Sequence, residues 1–272
     1  MNRVMREKQD MTHLSWSKIR NSSGTAGSFL KAYSVLGGKK IYYKLSNFDK
    51  IKGVIGHECV NEIIVDRLLE VLEISHLHYE LIYADVKIGS KMHEVYLCAS
   101  EDFKQRGESK LALDAYWEAE HIEDESPLEF CIRNGWEEYI YKMLVVDFLI
   151  LNRDRHGANI EVLRNNRKKT IHLAPLFDHG LSLLFNCMDD VSAAKYEAME
   201  DKRVNNYIGS GSTWENLKLI PKDKLPKLNK LKETDKGILM RDLDGVISQL
   251  LQDKIWDMIW KRWCAYEALC NS

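Results

Sequence analysis

The stretch N-R-D-R-H-G-A-N, Asn152 to Asn159, and the later L-F-D-H-G, Leu176 to Gly180, decide how this chain reads. They set one acid, Asp154, five positions before Asn159, and a second acid, Asp178, nineteen positions further on. Phosphoryl transfer from ATP uses these parts. One carboxylate orients the attacking hydroxyl, and an Asn and a second carboxylate hold Mg²⁺ against the phosphates. The Asp-to-Asn interval equals that of the H-R-D-x-x-x-x-N loop, although His156 here follows the Asp instead of preceding it. Either half alone is ordinary: N-R-D-R-H also suits a solvated loop, and Asp-x-Gly a simple turn. Context favours chemistry. Ile140, Met143, Leu144, Phe148 and Leu151 recur at helical spacing before the first motif. Ile160 to Leu163 reads as a strand, Arg164 to Thr170 as a polar turn, and Ile171 to Phe177 as a strand that ends at Asp178. The order predicts Asp154, Asn159 and Asp178 at one edge.

Upstream, the chain reads as strand-rich for its first hundred residues. Phe29 to Leu36 and Lys39 to Leu45 flank Gly37-Gly38, a dipeptide suited to a tight hairpin. A helix is expected from about Gly56 to Leu72, then strands Tyr79 to Val86 and His93 to Ala99 around Gly89-Ser90. From Asp114 the pattern turns helical, with a capping box at Ser126-Pro127-Leu128-Glu129 and a helical tail from Asp235 to Cys270. The fold class implied is α+β and two-lobed, kinase-like, with a small β-rich N-lobe and a larger α-helical C-lobe. The expected division is residues 1–11 as an N-terminal extension, 12–100 as N-lobe and 101–272 as C-lobe. Adenine is expected near the linker, at Cys98, Ala99 and Glu101.

A phosphoryl-transfer site also needs a strand lysine for the α and β phosphates and a helix acid to hold that lysine. Lys44 lies mid-strand among apolar residues, where an unpartnered cation is costly. Glu62 and Glu58 are the candidate acids, one helical turn apart, and Glu62 is preferred because it lies amid the apolar stripe. Ser23, Gly24, Thr25, Ala26 and Gly27 belong to a small-residue loop whose backbone N–H groups suit phosphate, and whose hydroxyls suit self-phosphorylation.

At 272 residues, 45% hydrophobic and net charge −2, the chain can bury a substantial core and carries no global basic field. Nucleic acid is therefore not the expected main partner. Six Cys show no C-x-x-C, which favours reduced thiols over a disulfide framework or zinc site. The charged start is no signal peptide and no apolar run spans a membrane, so a cytoplasmic location is expected. Export by a route without a signal peptide would leave no trace in the sequence.

With these residues assembled, the chain resembles the HipA-like serine/threonine kinases, especially compact CtkA-type members. The likeness rests on Ser22 to Ser28, Lys44, Val60-Asn61-Glu62, Glu101-Asp102-Phe103, Asn152 to Asn159 and Leu176 to Leu183. The D-R-H-x-x-N and F-D-x-G-L-S-L elements are shared more loosely with phosphoinositide 3- and 4-kinases. The resemblance implies ATP and Mg²⁺ as cofactors, Asp154 as base, Asn159 and Asp178 as metal ligands and Lys44 on the phosphates. It makes His156 a structural residue of the loop. It implies transfer to Ser or Thr of a protein, with autophosphorylation. The resemblance allows an antitoxin-type partner, except where that partnership depends on the additional N-terminal subdomain of longer members. His179 stands where eukaryotic kinases carry Phe.

The same residues also admit a lipid or small-molecule kinase of the same fold, and a nucleotide-binding pseudokinase module. A metal-dependent phosphohydrolase using Asp154, His156, Asp178 and His179 leaves Lys44 unexplained. The acids Asp189, Asp190, Glu197, Glu200 and Asp201 near the expected acceptor side do not suit an anionic headgroup.

Overall fold

The computed structural model describes residues 3–19 and 26–272. Strand-forming alternation in the first third gives β1 (Val4–Asp10), β2 (Ser17–Ile19), β3 (Ala26–Leu36) and β4 (Lys39–Leu45). A minor hairpin, β5 (Phe48–Asp49) and β6 (Gly53–Val54), leads into α1 (Glu58–Val71), then β7 (Glu80–Ile88) and β8 (Lys91–Glu101). The six-stranded sheet runs β1-β7-β8-β4-β3-β2. Gly37 and Gly38 turn β3 into β4 at φ +57° and +80°, values that glycine adopts at no steric cost. Both expected hairpins are present. The opening residues, expected as an extension, instead form an edge strand parallel to β7, with Val4 opposite Leu81. Val4 is the one buried residue in V-M-R-E-K-Q-D, so the strand carries no alternation that a sequence pattern could register.

One face of the sheet closes on its own small core, Leu14, Leu45, Ala84, Val86 and Leu97 among them. The other face packs on α1, whose Ile63, Ile64, Leu68 and Leu69 continue into the core of the helical region. Every residue of α1 from Glu58 to Leu69 is buried. Its acids Glu58, Glu62 and Asp66 recur every fourth position and so share a face. Buried charge must be paired, and each of the three has its partners, as described below.

The helical region comprises β9 (Ser109–Ala112), α2 (Leu113–Glu120), α3 (Pro127–Arg133), α4 (Glu137–Ile150) and β10 (Asp154–Arg155). Then follow β11 (Glu161–Asn165), β12 (Thr170–Leu173), α5 (Asp190–Ala194), β13 (Asn205–Asn206), α6 (Thr213–Leu217), α7 (Lys236–Leu239) and α8 (Gln249–Cys270). The capping box at the start of α3 forms as expected, with Ser126 accepting from the Glu129 N–H and Glu129 from the Ser126 N–H. β12-β11-β9 is a three-stranded sheet. The strand expected over Ile171 to Phe177 leaves its ladder at Leu173, and Leu176 makes one parallel bridge to His76 instead. The expected continuous helical tail is also broken. Asp242 and Gly245 take positive φ, and α8 restarts where Ser248 accepts the Leu251 N–H at 3.1 Å. Among the described residues, no helix is long and apolar enough to cross a membrane.

Candidate active site

Lys44 sits on β4 between Lys31 of β3 and Cys98 of β8 in the sheet register. Its Nζ lies 3.1 Å from Glu62 Oε1 and 2.5 Å from Asp178 Oδ1. Burial opposes the lysine charge, but the Asp178 and Glu62 carboxylates outweigh it and hold its pKa well above the usual value. The strand lysine, the helix acid and the acid of the D-H-G turn are therefore brought together. Glu58, the other acid considered for Lys44, instead accepts the Asn47 backbone N–H at 3.0 Å.

The D-H-G turn is fastened to Tyr79, just before β7, and to α1. Asp178 adopts φ +57°, and its N–H donates to the Tyr79 hydroxyl at 3.2 Å. The His179 N–H donates to Glu62 Oε2 at 2.9 Å. Asn61 Nδ2 donates to the carbonyls of Gly180 and Ser182 at 3.0 and 2.8 Å. Gly180 allows this approach: a Cβ there would lie 2.9 Å from Glu58 Cβ and 3.2 Å from Glu62 Oε1. Gly180→Ala is therefore expected to loosen the contact between Asp178 and Lys44. A slowed turnover with near-native melting temperature would bear this out; unchanged kinetics would refute it.

The N-R-D-R-H-G-A-N loop is set by a buried ion pair. α4 ends at Leu151, which takes φ +49°. Arg155, fully buried, donates to Asp147 on α4 through Nη2 at 2.8 Å and through Nε. Its Nη1 reaches the carbonyls of Asn159 at 3.2 Å and Phe177 at 3.0 Å. One guanidinium thus ties the loop to the residue preceding Asp178. Burial disfavours the Arg155 cation, but Asp147 outweighs it and raises its pKa. Asn152 Nδ2 adds a bond to Asp147 Oδ1 at 2.8 Å. Asn159 Nδ2 donates to the Asp154 carbonyl at 2.9 Å, which makes Oδ1 the end of that amide able to serve a cation.

Asp154 pairs through β10 with β13, and Asn205 Nδ2 donates to its Oδ1 at 3.0 Å. The sequence pattern alone gives Asn205, Arg155 and Asp147 no role. A signal existed for Asp147 alone, as the single charge within the apolar run Met143 to Leu151.

Beside Lys44 opens a cavity of about 650 Å³. Its described lining includes Lys31, Lys40, Lys44, Lys104 and Lys110 against the acids Asp102, Glu161 and Asp178. The cavity is thus locally basic in a chain of net charge −2. Phe177 and Phe103 lie with ring centroids 5.5 Å apart, and Lys110 Nζ stands 3.9 Å from the Phe103 ring while pairing with Asp102 at 2.7 Å. Cys98 lines the cavity, but Ala99 and Glu101 are not among the described residues that do. Strand alternation turns Ser100 to it instead, and Glu101 pairs outside with Lys39 at 2.9 Å. Ser23, Gly24 and Thr25 lie outside the described residues; Ala26 and Gly27 open β3.

Among the described residues, Asp154, His156, Asp178 and His179 are not assembled as the ligand set of a hydrolase. Among the described residues, the group of His, Cys, Asp or Glu side chains whose ligand atoms all lie within 4.8 Å of one another is Asp66, His76 and His78. His156 Nε2 is 3.7 Å from Asp154 Oδ2, while His179 is buried beside Glu62. Burial pushes the His179 pKa well below its usual value, and that of His57, the N-cap residue of α1, down to about 4. Both rings are held neutral in the fold but protonate near 6.5 when unfolded, so the stability they contribute is lost as pH falls from 6.5 toward 4. A fall of about 3 kcal/mol or more is expected over that window, and His57→Asn should reduce it to the share of His179. A urea midpoint independent of pH there would contradict this.

No protein-family model matches the chain, and no curated protein matches it. Solved structures do. The Helicobacter pylori proinflammatory kinase CtkA superposes with a TM-score of 0.63 at 14% identity, covering 97% of this chain and 98% of that one. HipA, in the Shewanella oneidensis MR-1 complex of HipA, HipB and operator DNA, gives a TM-score of 0.43 at 14% identity, covering 93% and 60%. The chain therefore has a bilobed kinase-like fold of the CtkA type.

Proposed function

We propose that the chain is an ATP- and Mg²⁺-dependent kinase that transfers the γ-phosphoryl group to Ser or Thr of a protein, itself included. The observation that carries this reading is Lys44 held by Glu62 and Asp178 at the edge of a lysine-lined cavity. CtkA, whose fold the chain shares, is described as a kinase.

The residues present fit Mg-ATP. The cavity is large enough for a nucleotide, and its excess of lysines suits a polyanion. Lys44 would contact the α and β phosphates, and Asn159 and Asp178 would supply oxygen ligands of the kind Mg²⁺ prefers. Bound Mg²⁺ neutralises charge on the transferring phosphoryl group. The chain's own part is positioning. Asp154, aimed by Asn205, accepts the proton of the acceptor hydroxyl as its oxygen attacks. Arg155 keeps Asn159 and the Asp178 turn at a fixed spacing, so that base and metal ligands act on one phosphoryl group. Glu62 and Asn61 hold the turn from the α1 side.

Asn205→Ala removes the hydrogen bond that orients Asp154 and leaves the carboxylate in place. A fall in kcat of about tenfold with little change in KM for ATP is expected, because an orienting contact matters most in the transition state. A rise in KM alone would reject this role. The test of the whole proposal is transfer of label from γ-labelled ATP to protein in wild type and Asp154→Asn.

A further inference from the structure

Asp66 lies one helical turn beyond Glu62, on the same face of α1, and faces the segment that leads into β7. Its Oδ1 is 3.1 Å from His76 Nε2 and 3.0 Å from His78 Nδ1. Arg3 occupies its other oxygen, Oδ2, and also pairs with Glu70. The decisive contact is on the far side of the His76 ring. His76 Nδ1 is 2.6 Å from the Ile74 carbonyl oxygen. A carbonyl only accepts, so Nδ1 carries the hydrogen, and the neutral ring presents Nε2 as a lone pair. In the neutral ring that lone pair points at a carboxylate oxygen, which also only accepts. With a neutral ring two acceptors face each other, a geometry that a cation between them resolves, and the exposed imidazole of His78 stands beside the same oxygen. A histidine whose other N–H is given to a backbone carbonyl is the usual arrangement of a metal ligand.

We propose that Asp66, His76 and His78 bind one divalent cation of the zinc class, separate from the Lys44 site. Metal–ligand bonds of about 2.0–2.1 Å in a tetrahedron put ligand atoms about 3.3 Å apart. The two observed separations, 3.0 and 3.1 Å, need only a small expansion. Two imidazoles and one carboxylate select zinc or its first-row neighbours over Mg²⁺ or Ca²⁺, which take oxygen ligands. Asp66 would bind through Oδ1 alone, its Oδ2 being held by Arg3, whose positive charge limits the affinity. His78 is exposed, so a cation can enter from solvent and keep a water as fourth ligand. The segment containing His76 also bridges Leu176, two residues before Asp178, so bound metal would join α1 to the segment entering the D-H-G turn.

The test uses the full chain with the exposed thiols removed as Cys264→Ser and Cys270→Ser, stripped with chelator and kept in Mg²⁺. Titration with ZnCl₂ by calorimetry is expected to give one ion per chain. Co²⁺ is expected to give visible absorption of four-coordinate intensity. His78→Ala, which removes an exposed ring and leaves the buried partners in place, should weaken binding by about tenfold or more. Absence of stoichiometric binding would overturn the site and identify the Asp66–His76 contact as an ion pair with imidazolium. Equal affinity in His78→Ala would also overturn it.

Discussion

Asp154→Asn is expected to lower phosphoryl transfer by about 10²–10⁴-fold, the usual range for loss of a general base, and to leave Mg-ATP affinity nearly unchanged. The substitution is isosteric, and the new amide oxygen can still accept from Asn205 Nδ2, so the loop should keep its path. Lys44 is held by Glu62 and Asp178, so nucleotide contacts at the other end of the site are untouched. Asp178→Asn should behave differently. It removes a charge that holds Lys44 and a proposed metal ligand together, so Mg-ATP binding itself should weaken. Single-turnover transfer and nucleotide titration separate the two. If Asp154→Asn lost nucleotide affinity while keeping its rate of transfer, the roles of the two acids would be reversed.

Arg155→Met is expected to cost about 3–5 kcal/mol of stability, because it strands Asp147 as an unpaired buried carboxylate. The pair is fully enclosed, so solvent screening does not soften that cost. Adding Asp147→Leu should restore much of the lost stability, since replacing a whole buried pair by apolar groups is often neutral. Activity should not return with it. The carbonyls of Asn159 and Phe177 would still lack the donor that fixes their spacing. Chemical denaturation and transfer assays on the three variants test this. Recovery of activity along with stability would show that the ion pair serves the fold alone.

The meeting of Lys44, Glu62 and Asp178 is legible in the sequence because it follows from residue type at fixed spacing. Asp154, Asn159 and Asp178 stand out by interval, and Lys44 by its place in an apolar strand. Glu62 was favoured over Glu58 because it lies amid the stripe, and it is Glu62 that meets Lys44. The supports were less legible. Asn205 is one polar residue among many, and only the β10–β13 pairing brings it to Asp154. β1 was missed because an edge strand with one buried residue has no period. The break between α7 and α8 was missed because apolar spacing on either side suggested one helix. The Ala99 and Glu101 expectation differs from the cavity lining by one step of strand alternation: Cys98 and Ser100 line it. Asp66, His76 and His78 carry no joint sequence signal because the ligand atoms of a helix and a turn meet only in three dimensions.

The most direct measurement is incubation of the purified chain with γ-labelled ATP and Mg²⁺, alone and with a generic Ser/Thr substrate, beside Asp154→Asn. Label on Ser or Thr that disappears in the variant is the predicted result. Tight Mg-ATP binding without label on any protein, or label that persists in Asp154→Asn, would contradict the account.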